Sequence, residues 1–131
     1  MAQAATRYVR EEVMALTPEG KVKQQIKPIL KARGIWYFMP QNVGMGVSGV
    51  PDFICCVPLT ADGTSGRLLG IECKAPGKRR NTTALQDIQI AAIRQARGWA
   101  LIVDDPAQLE EFLDHVGCPA TQSDSPQGEQ P

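Results

Sequence analysis

The sequence predicts an α/β fold, a small mixed β-sheet flanked by helices. Three observations lead there. Two short apolar runs, Phe53 to Val57 and Leu68 to Cys73, flank a polar segment carrying Gly63 and Gly66, as in a β-hairpin with a long loop. Apolar residues recur at helical spacing before this hairpin and after it. A continuous apolar run, Trp99 to Val103, follows the second helical segment, and a helix between two strands permits a parallel crossover.

Each element has its own signals. Residues 1–16 read as an N-terminal arm or short helix, with Tyr8, Val9, Val13 and Leu16 loosely clustered. Thr17-Pro18 reads as an N-cap followed by proline at the first helical position. The helix it opens runs to about Arg33 on Val22, Ile26, Ile29 and Leu30, with a kink or break expected at Pro28 and a stop at Gly34. Ile35 to Met39 reads as the first strand, and Pro40 to Ser48 as a glycine-bearing loop. After the hairpin, Thr82 or Thr83 caps a helix over about 84–97, with Leu85, Ile88, Ala92 and the neighbourhood of Ala91 and Ile93 on its buried side. Trp99 to Val103 has the character of a buried central strand. Asp105-Pro106 repeats the cap-then-proline signal before a last helix, Gln108 to Val116, which Gly117 ends. One domain over 17–117 follows, with 118–131 as a disordered tail that has almost nothing to bury.

Composition narrows the function classes. Basic and acidic residues balance, 14 against 14, so any nucleic-acid contact must use a local patch. The four cysteines, Cys55, Cys56, Cys73 and Cys118, show no CxxC spacing, and a single histidine accompanies them, which argues against zinc. Reduced thiols fit a cytoplasmic protein that is not secreted, or one acting in a host cytoplasm. No stretch suggests a membrane span or signal peptide.

The chemistry gathers around the hairpin. Asp52 stands at the head of its first strand, and Glu72 and Lys74 near the end of its second. Strand residues two apart share a face, so Glu72 and Lys74 project together, and the hairpin brings Asp52 beside them. Two carboxylates with room for water suit Mg²⁺ or Mn²⁺, which prefer hard oxygen ligands. Lys74 is placed to orient a water or steady a developing negative charge. A plain surface salt bridge between Glu72 and Lys74 accounts for that pair but not for Pro51-Asp52 at the head of the partner strand. At the ends of strands the burial of both carboxylates is expected to be slight.

Pro51-Asp52 followed by Glu72-x-Lys74 resembles the PD-(D/E)xK nuclease superfamily. The longer pattern, Gly49-x-Pro51-Asp52-Phe53, Ile71-Glu72-x-Lys74-Ala75-Pro76 and then Gln86, looks like its VRR-NUC branch, the virus-type replication-repair nucleases. The resemblance spans roughly residues 17 to 104. It implies a restriction-endonuclease-like core and metal-dependent hydrolysis of DNA phosphodiester bonds. Asp52, Glu72 and the backbone carbonyl of Cys73 would then hold one or two Mg²⁺ or Mn²⁺ ions, with Glu19 on the first helix as a further candidate. Lys74 would position the attacking water with help from Gln86. It also implies a homodimer acting on branched DNA such as four-way junctions.

Several of these residues have structural readings of equal simplicity. Glu19 suits the first turn of a helix, and Gln86, three residues after Thr83, suits a capping box. Lys78, Arg79 and Arg80 form the densest basic cluster and follow the ECK string closely, which favours phosphate contact over a merely solvated loop. Asn42, with Gln41, is a candidate substrate contact in the glycine-bearing loop. The competing functions are a non-cleaving nucleic-acid-binding module of the same fold and a protein-interaction domain.

Overall fold

Thr17 starts the first helix as its side chain suggests, its Oγ1 accepting the Gly20 N–H at 3.0 Å. The computed structural model describes residues 17–41, 47–59 and 62–118. The expected arm over 1–16, Asn42, and the tail from 119 onward lie outside these residues. Helix α1 spans Pro18–Ala32 and buries Val22, Ile26 and Leu30. It continues through Pro28, so the expected break does not occur.

Strands β1 (Trp36–Phe38), β2 (Phe53–Pro58) and β3 (Gly66–Cys73) come next, then α2 (Ala84–Gln95), β4 (Trp99–Val103) and α3 (Pro106–His115). They form a four-stranded sheet in the order β1-β2-β3-β4. β1 and β3 pair with β2 in antiparallel fashion, and β4 lies parallel to β3 through the α2 crossover. The coarse α/β class with a mixed sheet is therefore as expected.

The sheet has a helix layer on each face. Val22, Ile26 and Leu30 of α1 and Leu109 and Leu113 of α3 join Phe53, Cys55, Val57, Leu69, Ile71 and Cys73 in one core. Helix α2 covers the other face at Gly70, where a Cβ would stand 2.8 Å from Pro51 Cγ and 3.1 Å from Ile93 Cδ1. Only a glycine lets Pro51 and α2 settle that closely on β3.

Three expectations need correction. β4 is an outer strand of the sheet, not a central one. Its apolar run is covered instead from above and below, with Trp99 packed edge-on against Phe112 and under the Arg67 guanidinium. On α2, Leu85 and Ile88 are exposed while Ile90 is buried and Gln86, Gln89 and Ile93 are half-buried, because the helix turns its 86–90–93 stripe to the sheet. Cys118 is buried, not part of a loose tail: its carbonyl accepts a hydrogen bond from Arg33, which also pairs with Glu110 and Asp114.

Candidate active site

The antiparallel register pairs Phe53 with Ile71, so the next step along the hairpin sets Asp52 against Glu72. Asp52 is fixed there by the backbone: its Oδ2 accepts the Cys73 N–H at 2.8 Å. N–H and C=O of one strand residue face the same edge. The Cys73 carbonyl is thereby turned toward the Asp52 side, where the resemblance needs it.

Gln86 ties the rest together. Its Nε2 donates to Glu72 Oε1 at 2.9 Å, and its Oε1 accepts from Lys74 Nζ at 2.9 Å. The same Oε1 accepts the Thr83 N–H at 2.9 Å, while Thr83 Oγ1 accepts the Gln86 N–H. The capping box and the bridge between Glu72 and Lys74 are thus one arrangement rather than alternatives. Gly49 makes room for it. Its φ is +83°, and a Cβ there would lie 2.5 Å from the Leu85 backbone at the start of α2. Glycine at this position brings the segment before Asp52 against the helix end that carries Gln86.

The expectation of slight burial fails for the second strand. Glu72 is 4% exposed and Lys74 8% exposed. The reason is that α2 and the Pro51 segment close over the end of β3. Nζ of Lys74 stands 3.8 Å from Glu72 Oε1, so their contact runs mainly through Gln86. Burial pushes the Glu72 carboxyl up to about 8; the charges of Asp52 and Glu19 and a hydrogen bond with Asp52 push the same way, against Lys74. Lys23, which the sequence reading missed, sits between Glu19 Oε2 at 3.4 Å and Asp52 Oδ1 at 3.3 Å. Burial alone would lower the Lys23 pKa, but these carboxylates outweigh it and hold it above its ordinary value. Glu19 therefore reaches the rim of the site with an ammonium between it and Asp52. The Glu19-x-x-x-Lys23 spacing was the available signal.

The donors suit a hard cation. Asp52 and Glu72 present neighbouring carboxylates, and a divalent ion would offset the burial cost and the mutual repulsion that together raise the Glu72 pKa. Among the described residues, no group of three or more His, Cys, Asp or Glu side chains is arranged to hold a metal. A hard cation here would meet two carboxylates and a backbone carbonyl, with the rest of its shell left to water, as Mg²⁺ tolerates. Comparison with family models, curated proteins and solved structures returns no match. Cysteine chemistry is not offered here. None of the four cysteines is in a disulfide, and burial pushes Cys55 up to about 12 and Cys73 upward as well.

The basic segment divides. Lys78 is exposed and stands apart, whereas Arg79 and Arg80 turn toward β4 and line an open cleft there. Asp104 and Asp105 have separate tasks. Asp105 caps α3 through the Ala107 N–H, and Asp104 accepts the Gly77 N–H and so ties down the turn that follows Lys74.

Proposed function

We propose that the chain is a metal-dependent endonuclease that hydrolyses phosphodiester bonds in DNA, of the kind its motifs resemble. The observation that carries this reading is the buried Glu72–Gln86–Lys74 network beside a backbone-anchored Asp52. Asp52, Glu72 and the Cys73 carbonyl would hold Mg²⁺ or Mn²⁺. When bound, the ion supplies positive charge at a phosphate oxygen and lowers the pKa of water. Lys74, held by Gln86, orients the attacking water and steadies the charge that develops on the phosphate. Water attacks phosphorus, one P–O bond breaks, and the leaving oxygen takes up a proton.

Selectivity for branched DNA, such as a four-way junction, and action in the cytoplasm as a homodimer belong to the same proposal. A pair of copies would apply two sites to two strands. Trp36 and Phe38, an exposed aromatic pair with ring centroids 5.7 Å apart on outer strand β1, support a second copy of this chain as partner. A two-fold contact would lay β1 against its counterpart and cover both rings. No helix among the described residues is long and apolar enough to cross a membrane. The test is cleavage of labelled four-way-junction, flap, single-stranded and linear duplex DNA with Mn²⁺ and with EDTA. Mn²⁺-dependent cutting concentrated on the junction is expected; intact substrates throughout would overturn the reading.

A further inference from the structure

A cleft of about 430 Å³ opens at the outer edge of β4, lined by Arg79, Arg80, Thr82, Arg94, Leu101 and Ile102. Two of its guanidinium groups are fixed by backbone rather than by acids. Arg79 Nε donates to the Ile102 carbonyl at 2.8 Å, and an Arg94 Nη donates to the Ala100 carbonyl at 2.8 Å. A carbonyl positions a guanidinium without neutralising it. Among the described residues no carboxylate stands within ion-pair distance of Arg79, Arg80 or Arg94, whereas buried Arg33 has two. Asp104, the acid whose charge Arg79 stabilises, is already engaged by the Gly77 N–H and Gln108.

The spacing is informative. Carbonyls two residues apart on a strand lie about 6.6 Å apart. The two carbonyls that anchor Arg79 and Arg94 are therefore spaced comparably to neighbouring phosphates along an extended nucleic-acid strand. Planar arginine forks match phosphate oxygens, and prior fixing lowers the ordering cost of binding. One of the lining residues, Ile102, is the cross-strand partner of Glu72, so the cleft lies one strand away from the second strand of the hairpin.

We propose that this cleft is a subsite for the phosphodiester backbone of a single nucleic-acid strand, with Arg94 joining Arg79 and Arg80 around two successive phosphates. It rests on the nuclease reading for its ligand class and adds Arg94, which stands on α2 away from the basic segment in sequence.

The experiment measures binding of a fluorescent single-stranded oligonucleotide in EDTA over a range of salt concentrations. The proteins are the full chain, Arg80→Gln, Arg94→Gln and, on the exposed side of α1, Lys31→Gln. Each arginine variant is expected to reduce the log–log salt slope by about 0.7, the value for one phosphate contact on a single strand. Lys31→Gln should keep the parental slope. Arg80 has no backbone bond among the described residues, so its variant reports on ligand contact even if Arg94→Gln loses stability by uncapping β4. Parental slopes in both arginine variants overturn the subsite, as does a parent that does not bind the strand. Mn²⁺-dependent cleavage by the same proteins separates the two proposals. Reduced slopes with no cleavage by the parent uphold the subsite and sink the nuclease reading; parental slopes with cleavage intact do the reverse.

Discussion

Gln86→Glu distinguishes a residue that only caps a helix from one that also bridges an active site. Glutamate satisfies a capping box as well as glutamine does, and its charge is favoured in the first turn of a helix. A cap alone predicts a neutral or slightly stabilising change. In the structure, however, the side-chain nitrogen that the substitution removes donates to Glu72 Oε1 at 2.9 Å. The variant would set a second carboxylate oxygen in that place. The two groups then coexist comfortably only while they share a proton. Glu72 already titrates at about 8 instead of 4.5. An acid whose folded pKa is raised contributes stability below its unfolded pKa and loses it as pH rises through the folded value. The parent should therefore weaken between about pH 4.5 and pH 8, and the variant should extend that loss to higher pH. Near pH 5 parent and variant should melt together. Near pH 9 the variant lacks a hydrogen bond to a charged group, about 1.5–3 kcal/mol, and gains like-charge repulsion that Lys74 offsets in part. A net loss of about 3 kcal/mol corresponds to a fall of roughly 10–20 °C in melting temperature for a domain of this size. Thermal melting at both pH values is the assay. An equal shift at pH 5 and pH 9 would refute the bridging role and leave Gln86 as a cap.

Further outcomes follow from the same geometry. Lys74→Met should lower single-turnover cleavage by on the order of 100-fold or more while Mn²⁺ affinity measured by calorimetry holds or rises, because an ammonium is no ligand. Asp52→Asn should abolish the heat of Mn²⁺ binding and, by removing the charge that adds to burial in raising the Glu72 pKa, reduce in part the loss of stability toward alkaline pH in a melting series. Gly49→Ala should cost about 1–3 kcal/mol in urea unfolding, since it strains a positive-φ backbone against the start of α2. Trp36→Glu should shift sedimentation from dimer toward monomer without lowering the melting temperature of the domain.

Much of the site was legible because hairpin geometry is local. Strand period two placed Glu72 with Lys74, and the hairpin register brought up Asp52. Thr83 and Gln86 announced both a cap and a site residue, and only the coordinates show one oxygen serving both. What escaped the sequence depended on packing between distant elements. An apolar run such as Trp99 to Val103 reads the same whether its flank is sealed by another strand or by arginines from a loop and a helix. The α2 face was misjudged because Leu85 and Ile88 look buried by hydropathy, yet the helix turns Gln86 inward to meet Glu72 and Lys74. Lys23 carried only its i,i+4 spacing from Glu19, and Arg94 no motif at all. Their roles arise only where α1 meets the hairpin and where α2 meets β4.

If Asp52, Glu72, Lys74 and Gln86 form a metal-dependent nuclease centre, single-turnover cleavage of a labelled four-way junction by the parent and by Glu72→Gln, each with Mn²⁺ and with EDTA, reveals it. Cutting by the parent in Mn²⁺ alone and none by the variant is expected, with both proteins folded by circular dichroism. A junction left whole by the parent in Mn²⁺, or cut by Glu72→Gln at the parental rate, would contradict it.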